Sequence, residues 1–178
     1  MSSVPRPTDG EAEWGSHSAA LSFRLLRERD GDLLWKQLLP DVLELLDATV
    51  VEGFRVLGNG DVTATGRCGA AALPAEAALI ARALLRRAVV EERSLSSNDP
   101  RLDADLRSAA VPLRSRHVVR AILYRSGGVT HGATCVYWID RPLPGSERLA
   151  GFVAYQEHAA LALALAAERR RLHGAAGG

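Results

Sequence analysis

The feature that most constrains the fold is the run from Thr49 to Cys68. There a β-branched, apolar stretch (TVVEGFRVL) meets Gly58-Asn59-Gly60-Asp61 and returns as VTATGRC. Two segments suited to a pleated, half-buried surface and joined by such a turn pair as an antiparallel hairpin. Asn59-Gly60 is the pair expected to take positive φ. A lone hairpin is marginal in water, so the rest of the chain must supply further strands and an apolar cover.

The further strands are legible in AAVPLRSRHVVRAILY, which predicts strands over Ala109 to Arg114 and Val118 to Tyr124. Gly127-Gly128 marks a turn, and ATCVYWI (Ala133 to Ile139) returns as another strand. The cover comes from helices. Leu21, Leu25 and Leu26 place one over Glu11 to Arg29. After Asp30-Gly31-Asp32, the stripe Leu34, Leu38, Val42, Leu45, Leu46 places a second over Asp32 to Leu46, with Pro40 expected to kink or split it. A third starts with Pro74 as its first residue and runs to about Glu92; Ser146 caps a long alanine-rich fourth. Ser94 to Leu106 is too rich in Ser, Asn and Asp for a packed element and reads as a surface loop.

The order is helix, helix, two strands, helix, loop, three strands, helix. It predicts an α+β fold: a central, mostly antiparallel sheet of five or six strands with helices on one face. Residues 1–10 are expected to be a flexible tail, 11–172 a single domain, and 173–178 a second tail.

Charge and cysteine content exclude several function classes. Twenty-two basic residues against 21 acidic ones leave a net charge of +1, which argues against a broad phosphate-facing surface and direct nucleic-acid binding. Arg169-Arg170-Arg171 reads as helix-end solvation and dipole compensation. Two cysteines without a CxxC pair, no secretory signal and no long apolar run point to a cytoplasmic chain without a membrane span.

No catalytic constellation stands out. His131 and Cys135 are four apart, which on a strand is about 13 Å, too far for one metal ion. Cys68 adjoins Arg67, but neighbours on a strand face opposite ways, so both cysteines read as buried and inert. There is no phosphate loop of the GxxxxGK[ST] kind and no helix-turn-helix signature. No cofactor is assigned.

DLLWKQLLPDVLELLDAT followed by VVEGFRVLGNGDVTATGRCG, then the Val-Pro-Leu strand and DRPLPGSERLAGFVAYQEHAALALA, resemble in order and spacing a GAF domain. The likeness covers about Asp32 to Ala167 and is nearest the type attached to bacterial enhancer-binding transcriptional activators and histidine kinases. Gly53-Phe54 matches a Gly-Phe pair common in that type. Two segments, RAILY (Arg120 to Tyr124) and TCVYWID (Thr134 to Asp140), compete for one family strand.

The resemblance implies a regulatory, sensory domain without enzymatic activity, active in bacterial signal transduction or transcription control. It would bind a small molecule or partner and signal through a homodimer of its terminal helices. In the family the loop matching Ser94 to Leu106 lies over the ligand pocket. Ser96, Asn98, Asp99 and Arg101 are therefore candidate rim residues, with Arg67 and Tyr137 completing the set. The competing readings are a solvated loop, core packing for Tyr137, and a ligand-free scaffold that works only as a dimerisation or interaction module.

Overall fold

A strand with both Val50 and Val51 at zero exposure needs cover on both of its faces, because successive side chains point opposite ways. The structure, a computed structural model, describes residues 9–70, 72–98 and 118–176. Its elements are α1 (Asp9–Arg27), α2 (Gly31–Leu45), β1 (Val50–Val56), β2 (Val62–Gly69), α3 (Ala75–Glu91), β3 (Leu95–Ser96), β4 (Val118–Ser126), β5 (Val129–Trp138) and α4 (Ser146–Ala176). Five antiparallel strands form one sheet in the order β2-β1-β5-β4-β3.

The α+β class and the antiparallel sheet agree with the sequence; the expected placement of all helices on one face is corrected. α1, α2 and α4 cover one face, with Leu25, Leu38, Leu45 and Tyr155 packing on Val51, Val136 and Trp138. α3 covers the other, where Ala77, Ile80, Leu84 and Ala88 pack on Val50, Ala121, Cys135 and Tyr137. The physical reason lies in β5, which after its first three residues is buried on both faces, from Gly132 through Trp138. Such a strand reads as a continuous apolar run rather than an alternating one, as ATCVYWI does.

Local chemistry explains the element ends. Asp30 Oδ1 accepts the N–H groups of Asp32 (2.7 Å) and Leu33 (3.1 Å) and so caps α2. Pro40 does not split α2: it sits on the exposed side of the helix, away from the core that the apolar stripe packs on. In the first hairpin only Gly60 takes positive φ (84°), not Asn59. The Gly60 N–H donates to Leu57 O (2.9 Å) and Asn59 Oδ1 accepts from Asp61 N (3.1 Å), so a type I turn closes on one left-handed glycine.

Pro74 occupies the cap position of α3 rather than its first turn, and Ser146 is the first residue of α4, whose opening bond runs from Leu149 N to Gly145 O (3.1 Å). α4 continues to Ala176, past the turn expected to begin a tail. The expected loop after Ser94 contains β3, held because Ser94 Oγ and Ser97 Oγ accept the N–H groups of Leu123 (3.1 Å) and Val119 (3.0 Å) of β4. Serines here satisfy a strand edge, which composition alone does not reveal. RAILY and TCVYWID are the two arms of one hairpin, β4 and β5, turned by Gly127 and Gly128 at positive φ. The expected strand Ala109 to Arg114 lies outside the described residues.

One close approach sets the distance of α2 from the sheet. A Cβ on Gly53 would lie 2.9 Å from Trp35 Cε3, and one on Gly132 2.8 Å from Trp35 Cζ2. The indole therefore rests on bare backbone of β1 and β5. By length and composition α4 is apolar enough to cross a membrane, but Phe152, Tyr155, Ala159, Leu163 and Ala166 bury its inner face in the core.

Candidate functional site

Strand register assembles one polar row on the α3 face. Arg67 of β2 lies opposite Glu52 of β1, and Glu52 lies opposite Cys135 of β5. The row continues to Ala121 of β4 and Leu95 of β3. Tyr137 stands one pair along, opposite Val50, and its hydroxyl donates to Glu52 Oε2. Arg67 Nη2 donates to Ala70 O (3.0 Å) at the exposed end of the row.

The electrostatics of this row hold its thiol and its phenol in their protonated forms. Burial, then the Glu52 carboxylate, pushes the Cys135 thiol well above its ordinary range. Its Sγ lies 3.7 Å from Ala81 O of α3. A protonated, enclosed thiol is a poor nucleophile. Burial first, then Cys135 and Glu52, raises the Tyr137 hydroxyl, with Arg67 opposing; the phenol stays a hydrogen-bond donor at neutral pH. Glu52 thus offers acceptor capacity at the sheet surface, with a cation at one end of the row and a phenol beside it.

Of the residues singled out from sequence, the structure brings Arg67 and Tyr137 together on this face. Ser96 pairs with Arg120 of β4, and alternation from Leu95 turns it to the other face; its Oγ donates to Asn98 Oδ1 (2.6 Å). Asp99 and Arg101 lie outside the described residues. Sequence reasoning missed Glu52. The available signal was a lone carboxylate in TVVEGFRVL, two residues from Val50 and therefore on the same face of a buried strand.

The cysteines occupy opposite faces. Cys68 is opposite Val51 and packs against the core under α1, α2 and α4, whereas Cys135 faces α3. No group of three or more His, Cys, Asp or Glu side chains suited to a metal ion occurs among the described residues.

No family model matches the sequence. No curated protein sequence matches it either. Solved structures do match. The GAF domain of an Acinetobacter phosphoenolpyruvate-protein phosphotransferase superposes with a TM-score of 0.63 at 8% identity, over 91% of this chain and 97% of that one. The GAF domain of the corresponding Coxiella burnetii protein gives 0.61 at 14%, over 94% and 99%. Free methionine-R-sulfoxide reductase from Neisseria meningitidis, in complex with its substrate, gives 0.60 at 12%, over 95% and 99%. Identities this low speak to fold alone, and attachment to enhancer-binding activators stays an expectation. On the sheet order, the helices on its two faces and these superpositions, the chain has the GAF fold.

Proposed function

We propose that this chain is a non-catalytic regulatory domain that binds a small molecule at the Glu52–Tyr137–Arg67 face and signals through a homodimer of α1 and α4. The observation that carries the reading is the division of labour between the two faces of one sheet. Polar recognition groups sit on the α3 side. The terminal helices lie side by side on the other, and α4 presents an unburied stripe that carries three exposed leucines. Ala154, His158, Leu161, Leu165, Glu168 and Leu172 recur at alternating spacings of four and three, a coiled-coil seam, and Leu161, Leu165 and Leu172 are 44%, 42% and 56% exposed. Phe23 of the neighbouring α1 is 62% exposed.

Two findings favour a binding domain over a sulfoxide reductase of the same fold. The thiols stand on opposite faces, so no disulfide relay joins them, and Cys135 is held protonated. A second reading, a ligand-free scaffold that only dimerises, is favoured by the apolar filling between sheet and α3, where Leu84, Leu85, Leu95, Leu123 and Tyr137 are all buried.

Sedimentation velocity across a dilution series tests the dimer. The expected result is a dimer that dissociates on dilution and is lost in Leu161→Glu/Leu165→Glu; a monomer at every concentration overturns it. Native mass spectrometry of protein from its own host separates the two readings. A retained small molecule lost in Glu52→Gln/Tyr137→Phe supports ligand binding, and a bare chain supports the scaffold.

A further inference from the structure

We propose that the cavity bounded by the start of α2, β1 and the last turns of α4 is a binding site for a small, multiply charged phosphate compound. It lies on the face of the sheet opposite Tyr137 and does not depend on the function proposed above. The cavity holds about 770 Å³ and gathers four guanidinium groups from three parts of the chain: Arg29 between α1 and α2, Arg55 on β1, and Arg169 and Arg170 on α4. In a chain whose net charge is only +1, that concentration requires a reason.

The two carboxylates in the lining do not supply it. Asp30 is committed to the N–H groups of Asp32 and Leu33, which hold it below the usual carboxylate range. Asp32 stands 3.2 Å from Arg55. Among the described residues no carboxylate lies within ion-pair distance of Arg29, Arg169 or Arg170. Burial first and then the neighbouring Arg55 charge act against protonation of Arg170 and outweigh the opposing Asp32 carboxylate, so like charges are held together in a half-enclosed space. Arg55 Nε is buried without a hydrogen-bond partner.

The geometry is specific at one further point. A Cβ on Gly31 would lie 2.5 Å from Arg170 Nη1, so the guanidinium crosses a bare Cα where any side chain would displace it. The helix N-terminus is not the donor here, because Asp30 already occupies it. What remains is a set of planar forks, which match phosphate oxygens two at a time and offer nothing to a cation. The volume suits a nucleotide-sized molecule. A bound phosphate would bridge α4 to α2 and β1.

The test is calorimetric titration of the full chain with inorganic pyrophosphate at low salt, with citrate and sulfate in parallel. Saturable one-to-one binding is expected. It should weaken at least about tenfold in Arg169→Gln/Arg170→Gln, and weaken also in Gly31→Ala, which moves Arg170 without removing charge. If the double variant fails to fold, Arg29→Gln on the exposed link replaces it. Absence of saturation, undiminished binding in the variants, or citrate binding as tightly as pyrophosphate would overturn the site. So would an oligonucleotide that outcompetes pyrophosphate, since it would mark a surface for polyanions rather than a pocket.

Discussion

Replacing Arg24 by methionine should detach α1 in a pH-dependent way. Asp41 of α2 is 2% exposed, yet its carboxylate joins three helices: Oδ1 accepts from the Arg24 guanidinium of α1, and Oδ2 from the Tyr155 hydroxyl of α4 (2.9 Å). Burial outweighs both partners and raises the Asp41 carboxyl above its ordinary 3.8. A carboxyl raised in the folded state binds its proton more tightly there than in the unfolded chain. Its contribution to stability is therefore full at acid pH and is lost as pH rises through the folded value.

Arg24 opposes that loss by stabilising the ionised form. Methionine keeps the aliphatic stem and removes the counter-charge, which leaves Tyr155 as the one hydrogen-bond partner of a buried anion among the described residues. Breaking a fully buried pair costs about 3–5 kcal/mol; with Arg24 half in water, about 2–3 kcal/mol is expected at neutral pH. The penalty should shrink as pH falls through the raised Asp41 value, where the carboxyl takes up a proton and no longer needs a counter-charge. Urea unfolding at several pH values measures it. Trp14 on α1 reports the helix, and Trp35 and Trp138 report the core. A penalty that is the same at acid and neutral pH, or below about 0.5 kcal/mol at neutral pH, would refute the reasoning.

Two further outcomes follow from the packing. Gly132→Ala places a Cβ within 2.8 Å of the Trp35 ring and should destabilise by about 1–3 kcal/mol in urea, while Trp35→Leu should relieve most of that in the double variant. A thiol reagent such as DTNB should modify at most Cys68 in the native protein, because Cys68 is half-buried and Cys135 fully buried; both should react in urea, and fast native reaction of two thiols would contradict the placement of Cys135.

Much of this fold is legible in the sequence because local signals and burial agree. The first hairpin, the α2 cap at Asp30 and the Gly127-Gly128 turn are each set by backbone chemistry within four residues. What escapes is set by neighbours distant in the chain. β3 is a strand only because β4 offers an edge to Leu95, and because Ser94 and Ser97 beside it accept the β4 amides of Leu123 and Val119. Asp41 looks like a blemish in the stripe LLPDVLELL until Arg24 and Tyr155 arrive from other helices. Glu52 is likewise unremarkable until register sets it between Arg67 and Cys135.

The same register explains how the two faces are joined. On β5, Cys135 and Tyr137 face α3, whereas Thr134, Val136 and Trp138 face the terminal helices. Trp138 Nε1 donates to Leu46 O at the end of α2 (2.9 Å), and the Thr134 and Tyr124 hydroxyls bond each other (3.2 Å) in the core that Tyr155 also enters. A strand cannot translate one face alone, because alternate side chains share one backbone. A displacement of β5 that moves Tyr137 relative to Glu52 must therefore move Trp138 relative to α2. The carboxylate of Asp41, which ties α2 to α1 and α4, would carry that displacement to the helices proposed to dimerise. Arg24→Met should consequently weaken not only the fold but also any dependence of dimerisation on the state of the Tyr137 face, whereas Leu161→Glu should abolish dimerisation and leave that face intact.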